Sequence, residues 1–504
     1  MYGSHMKKQA KSIMFQGTGS GVGKSIVCTA FCRLLKRRGF NVAPFKAQNM
    51  ALNSFVTADG REMGRAQVFQ AEACGLLPDV RMNPVLLKPS GDSRSQVILM
   101  GKPERHMNAA DYYERSPQHW KVVRSAFDSL ASEYDVVVIE GAGSPAEINL
   151  QHTDIVNMKM AAYADASVII VADIDKGGVF ASLKGTFDLV QAEYRRLIKG
   201  FLINKFRGDV RLLKPGIEMF RKMVPVPTLG ILPWFNGIHI DEEDGVFVKN
   251  IVSIEDTDAD LRISVIRLPR ISNFTDFSPL SCEPGVRLNL ADRPEAAAES
   301  HVIVIPGTKA TISDLQFLRT KGWEHALRKF LSKGGFLIGI CGGYQILGEK
   351  IVDDYGADGT PGTYTGLGFL PVVTHMAREK TLMQVKFTIS NPALSNNDLE
   401  IEGYEIHMGK TWCKEKNAGL GDGMGTRAGI FDPERSILGT YIHGIFENDE
   451  FRNALLNHVR RLHRIPERPC TFSYRRFRAS QMDLLSNWLE KSCRVETLIS
   501  MING

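Results

Sequence analysis

At 504 residues the chain is too long for one compact core, and 43% hydrophobic with 23% charged residues is the balance of a folded soluble protein. A formal net charge of +6 is small for this length; it argues against a nucleic-acid partner and leaves acidic ligands open. No apolar run is long enough to span a bilayer, and eight scattered cysteines without a Cys-x-x-Cys pair argue against a disulfide framework or a zinc site, so a reducing cytoplasm is expected and a membrane partner is not.

Residues Gly3-Ser4-His5-Met6 read as the scar of a cleaved tag, and no secretory signal precedes the first element. From there strands and helices alternate. Ile13 to Gln16 reads as a buried strand, followed by a helix from Lys24 to about Arg38 and a strand from Val42 to Phe45. Short β-branched runs at Val136–Ile139 and Val168–Val171, then Phe201–Asn204 and Thr228–Leu232, are strands covered on both faces, with helical patterns at 60–76, 119–132 and 209–222 between them. This predicts an α/β domain with a parallel sheet over residues 8–235. The acidic, turn-rich stretch 236–260 reads as a linker. A second α/β domain is expected over 261–455. Its strands fall at Ile263–Ile266, Val302–Ile305 and Phe336–Ile340, its helices around 312–333 and 344–350, and a β-rich stretch runs over 366–413. A basic, aromatic tail, 456–504, carries a helix at 480–492.

The first strand runs into Gly17-Thr18-Gly19-Ser20-Gly21-Val22-Gly23-Lys24-Ser25 and then a helix, the context in which a glycine-rich loop cradles phosphate with its backbone N–H groups. Gly17, Thr18 and Gly23 shape the loop, Lys24 reaches the terminal phosphates and Ser25 is placed to ligate Mg²⁺. Glu140, at the carboxyl end of the strand Val136–Ile139, is the expected second Mg²⁺ ligand. Asp59 is a further metal candidate and Asp154 another acid of the same crevice. Lys46, just past the next strand, is placed to neutralise a γ-phosphate or an acyl phosphate. The alternative for each is a solvated loop side chain.

In the second domain the apolar run Phe336-Leu337-Ile338 leads into Gly339-Ile340-Cys341-Gly342-Gly343, a strand-to-helix elbow that leaves a sulfur at the top of a sheet. His443, in Tyr441-Ile442-His443-Gly444, is the expected base. The turn Pro306-Gly307-Thr308 follows a strand, so the backbone at Gly307, with the N–H of Gly342, can form an oxyanion hole. A buried structural cysteine and a structural histidine are the competing reading.

The phosphate loop has five residues between Gly17 and Gly23 and begins Gly-Thr, which resembles dethiobiotin synthetase and its relatives; that resemblance implies ATP-driven activation of a carboxylate. The elbow half resembles class I glutamine amidotransferases, which implies that Cys341 attacks the glutamine side-chain amide and releases ammonia. Most of that class has a glutamate two residues after the histidine, where this chain has Ile445, with Glu447 further on. Either another group orients His443 or the pair works alone.

Pro44–Ser54, Met82–Pro89, Asp175–Ala181, Ile203–Asp209, Pro306–Lys309 and Glu402–Gly409 together resemble the cobyric acid synthase family, in order, from about residue 12 to 450. The resemblance implies amidation of four side-chain carboxylates (b, d, e and g) of adenosylcobyrinic acid a,c-diamide, with one glutamine and one ATP each time. It implies corrinoid, glutamine and ATP as partners and ATP with Mg²⁺ as cofactors. Gln48, Asn49, Asn53, Lys88, Asp154, Lys176 and Arg207 are the candidate substrate contacts, and Tyr404 and His407 candidates for an interdomain surface. Two rivals remain: the sister synthase that makes the a,c-diamide, and a nucleotide-switched P-loop scaffold ATPase carrying an inactive amidotransferase domain.

Overall fold

The computed structural model describes residues 10–91, 94–235, 259–414, 419–421 and 428–503. The expected linker lies outside them except for Ala259 and Asp260. The chain divides into two compact units. One comprises Met1–Ala51, Glu62–Asp244 and Arg478–Gly504, the other Leu52–Arg61 and Gly245–Phe477. Both are α/β, as expected. No helix among the described residues is long and apolar enough to cross a membrane.

The first unit is built on a six-stranded sheet. Its order from edge to edge is Thr228–Pro233, Ile198–Phe206, Ser167–Asp173, Lys11–Gly17, Val136–Glu140 and Val42–Phe45, and every pair is parallel. The β-branched runs Val136–Ile139 and Val168–Val171 are buried throughout, because helices cover both faces of a parallel sheet. Ile13 pairs with Ser167 on one side and Val138 on the other, which places the phosphate loop and Glu140 at the same, carboxyl end of the sheet. A smaller sheet of Gln48–Met50, Val85–Gly91, Arg94–Leu99 and Lys102–Asn108 is an addition that the sequence reading did not contain.

Two features depart from the expected division at 235 and 260. The tail does not stand apart: from Arg478 onward it belongs to the first unit. There Leu485, Leu489, Leu498 and Ile502 join the core that contains Phe31 and Leu35 of the helix Lys24–Arg37. Arg33 pairs with Asp483 at 2.8 Å and Arg38 with Glu490 at 2.6 Å. The second departure is the short segment Leu52–Arg61, which leaves the first unit and counts with the second.

The second unit has a sheet in the order Val286–Ala291, Leu261–Ile266, Val302–Ile305, Phe336–Ile340, Ile437–Thr440 and Gly429–Asp432, parallel except for the last pair. The expected helix around 312–333 is two helices, Thr311–Thr320 and Trp323–Ser332, broken at Gly322, where φ is +77°. The β-rich stretch is a long antiparallel pair, Val372–Ile389 with Leu399–Cys413, and the short strand Ile442–His443 pairs with the latter through Tyr404.

Candidate active site

In the first unit the groups read from the sequence gather on one buried carboxylate. Ser25 Oγ donates to Glu140 Oε1 at 2.7 Å, Lys46 Nζ lies 3.0 Å from the same oxygen, and Gln70 Nε2 donates to Oε2. Burial acts to raise the Glu140 pKa, but the Lys46 charge and the three hydrogen bonds outweigh it, so the carboxyl sits below its ordinary value and is ionised. Lys24 Nζ donates to the carbonyls of Gly19 and Gly143 at 2.9 and 3.2 Å. Thr18 N–H donates to Val171 O of the neighbouring strand, and a β-carbon on Gly17 would lie 2.6 Å from Val22 Cγ2, so the loop is tightly folded. Gly23 has φ +97° and Asn204 Nδ2 against its Cα, and Lys205 Nζ donates to Gly21 O at 2.7 Å. A hydroxyl beside an ionised carboxylate, at the start of a helix, is the oxygen donor set that suits Mg²⁺ held mainly by phosphates and water. Among the described residues no three His, Cys, Asp or Glu side chains form a metal cage, and such a Mg²⁺ needs none.

Asp59 belongs to the Leu52–Arg61 segment of the second unit, is exposed, accepts from Thr57 and pairs with Arg61 at 3.0 Å. Asp154 accepts from the N–H groups of Val156 and Asn157 and from Asn157 Nδ2, and Asn157 in turn brackets Ala142. It thus shapes the loop after Glu140; burial raises its pKa. Lys88 is buried in an ion pair with Glu62 at 2.6 Å. Asn49 Nδ2 donates to Gln67, and Gln48 accepts from Tyr112. Lys176 and Arg207 are exposed on the loops after Ser167–Asp173 and Ile198–Phe206, Arg207 stacked 3.9 Å from the Trp234 ring centroid. Asn53 belongs to the second unit and is buried, with Oδ1 accepting from Phe274 N–H.

In the second unit Cys341 stands between Ile340 and the helix Gly342–Leu347 with φ +52° and ψ −107°, a region a non-glycine residue enters only under strain. Close packing of that helix on the neighbouring strand holds it there. A β-carbon on Gly343 would lie 2.0 Å from Ile305 O, and one on Gly342 2.6 Å from Thr308 Cγ2. Cys341 is only 8% exposed, less open than the elbow suggests, and its thiol makes a weak contact of 3.7 Å to Ile406 O.

Gly307 is flanked by both other partners. From the place its β-carbon would occupy, His443 Cε1 is 3.4 Å away and Cys341 Cβ 3.7 Å. The backbone N–H groups of Thr308 and Gly342 donate to nothing among the described residues.

His443 is buried and its Nδ1 donates to Asp276 Oδ2 at 2.7 Å, while Asp276 Oδ1 accepts from Gly444 N–H at 3.0 Å. Its Nε2 has no hydrogen-bond partner among the described residues. Burial pulls the imidazole pKa down, but the charge and hydrogen bond of Asp276, with the Cys341 sulfur nearby, push it up to about 10. The Tyr404 ring stacks on the imidazole, with centroids 5.4 Å apart. Asp276 was not picked out in the sequence; nothing in its local pattern distinguishes it from a turn residue. Ile445, at the position of the usual glutamate, is fully buried in the core. His407 is not free either, bonded to Glu405 at 2.9 Å and to Gly409 O.

Two family descriptions match the chain: a CobQ/CobB/MinD/ParA nucleotide binding domain over residues 13–246, and a CobB/CobQ-like glutamine amidotransferase domain over 262–451. A nucleotide-binding unit and a glutamine amidotransferase unit on one chain make this an ATP-using, glutamine-hydrolysing carbon–nitrogen ligase. The chain is 46% identical to a cobyric acid synthase of Thermoanaerobacter sp. (strain X514), covering 96% of this chain and 97% of that one. It is 44% identical to those of Salmonella agona (strain SL483) and Salmonella enteritidis PT4 (strain P125109), covering 98% of both chains in each case. It belongs to the cobyric acid synthase family, and so to cobalamin biosynthesis.

Proposed function

We propose that the chain amidates the b, d, e and g carboxylates of adenosylcobyrinic acid a,c-diamide to give adenosylcobyric acid, with Cys341 releasing the nitrogen from glutamine. The observation that carries the glutaminase half is the His443–Asp276 pair at 2.7 Å, beside a cysteine held at positive φ. With its proton held on His443 Nε2, the Cys341 sulfur attacks the side-chain carbonyl of glutamine, and the N–H groups of Gly342 and Thr308, with Gly307 leaving room, receive the oxyanion. His443, held by Asp276 in one orientation, gives its proton to the departing ammonia and takes one from the water that releases glutamate from the thioester. Asp276 thus fills the role of the absent glutamate.

In the nucleotide-binding unit the substrate carboxylate attacks the γ-phosphorus of ATP, forming an acyl phosphate and ADP; ammonia then displaces phosphate and leaves the amide. Lys24 and Lys46 carry charge against the transferring phosphoryl group. Ser25 and Glu140 would hold Mg²⁺, which would offset the negative charge of the phosphates there. Lys176 and Arg207, exposed at the carboxyl end of the sheet, are the proposed contacts to substrate carboxylates; Gln48, Asn49, Lys88 and Asp154 support the surrounding loops. Mass spectrometry of the product formed from the a,c-diamide, glutamine and MgATP tests this. Four successive exchanges of hydroxyl for amino are expected; amidation of cobyrinic acid at a and c instead would point to the sister synthase, and no amide at all to a scaffold ATPase.

A further inference from the structure

The segment that leaves the nucleotide-binding unit after Ala51 is fastened to the turn that carries Asp276. Ser54 N–H donates to Asn273 Oδ1 and Asn53 Oδ1 accepts from Phe274 N–H, both at 3.1 Å, so two carboxamides lock the strands of chain reciprocally. Asn273 is at φ +51° and opens the short 3₁₀ turn Phe274–Phe277, whose third residue, Asp276, bonds His443. A second fastening reaches the other side of the imidazole. Tyr404, whose ring stacks on His443, donates its hydroxyl to Ser54 O at 3.1 Å and packs edge-on against Phe55, with centroids 4.9 Å apart. Val56 lies in a small buried cluster with Tyr404 and Ile406, and Gln384 Nε2 donates to Val56 O. Asn53 is 3% exposed and its Nδ2 has no partner among the described residues, so the side chain is held for its oxygen.

We propose that residues Asn53–Val56 position the His443–Asp276 pair for glutamine hydrolysis, with Asn53 acting through the Asp276 turn and Tyr404 through the stacked ring. This rests on the reading of Cys341 and His443 as the glutaminase pair. Neither Asn53 nor Tyr404 touches the reacting atoms; they are positioning residues. The consequence is that the nitrogen-releasing chemistry depends on chain that is continuous with Lys46, the partner of Glu140.

The test compares Asn53→Ala, Tyr404→Phe and Cys341→Ala in the full chain, each assayed for glutamine hydrolysis, for amide synthesis from glutamine and for synthesis from ammonium chloride. Tyr404→Phe keeps the ring on the imidazole and removes the hydroxyl that bonds Ser54 O, so it stays informative where Asn53→Ala fails to fold. Both positioning variants should lower kcat for glutamine about tenfold to a hundredfold with KM little changed, and leave the ammonium-driven rate intact. The alkaline limb of kcat, where His443 loses the proton that Asp276 holds, should move to lower pH. A limb that stays in place overturns the proposal whether or not kcat falls, since any loss would then not run through His443; so do unchanged kcat values. Glutamine use surviving in Cys341→Ala would overturn the underlying pair instead, and this proposal with it.

Discussion

The phosphate loop and the cysteine elbow solve one problem in opposite ways. Each is a strand, a tight turn and a helix at the carboxyl end of a parallel sheet, with a buried ionic partner. In the phosphate loop the positive φ angles fall on Gly21 and Gly23, the functional Lys24 and Ser25 are in relaxed helix, and the buried group is an anion, Glu140, kept ionised by Lys46. In the elbow the strain falls on Cys341 itself, glycines Gly342 and Gly343 only make room for it, and the buried group is a cation, His443, kept protonated by Asp276. The first geometry receives a charged ligand; the second holds a nucleophile and its proton donor.

The largest effect should come from breaking the division of labour. Cys341→Ala is expected to lower glutamine-driven synthesis by on the order of a thousandfold or more, yet leave synthesis from high ammonium chloride near the wild-type rate. Lys24→Ala should remove synthesis from either nitrogen source. Measuring both variants with both sources separates the two regions; an ammonium-driven rate lost in Cys341→Ala would dissolve the distinction. A smaller but sharper loss is expected in Asp276→Asn. It keeps the shape of the contact to His443 Nδ1 and removes its charge, so glutamine hydrolysis should fall on the order of a hundredfold to ten-thousandfold, again with ammonium-driven synthesis intact. Steady-state hydrolysis of glutamine reads this directly.

The two regions were also unequally legible in sequence. The phosphate loop is contiguous, and the run Val136–Ile139 places Glu140 at its end by periodicity alone, so the cluster of Ser25, Lys46 and Glu140 could be read off the chain. The elbow was equally local at Cys341, but its histidine is oriented across a separation of 167 residues by Asp276, which no local pattern marks. Asn53 is a related case. It stands beside Gln48 and Asn49 in sequence, but the chain crosses to the other unit between them, and its amide serves Phe274. The terminal helix was visible as a helix; that its apolar face completes the core around Phe31 and Leu35 depends on the chain returning to its first unit.

The finest distinction between the two regions is how each responds to pH. His443 has a folded pKa raised from the ordinary 6.5 to about 10, so its contribution to stability is complete below about 6.5 and is lost as pH rises toward 10. Glu140 has a folded pKa below its ordinary 4.5, so its contribution is present above 4.5 and is lost as pH falls through the lower folded value. The amidotransferase unit should therefore weaken on the alkaline side and the nucleotide-binding unit on the acid side. Pulse proteolysis in urea, with surviving fragments assigned to each unit, measures the two separately. Asp276→Asn should flatten the alkaline dependence of the first of these and leave the acid dependence of the second in place, while Glu140→Gln should do the reverse. An alkaline slope that persists unchanged in Asp276→Asn would mean that another group, not the His443 imidazolium, carries that proton.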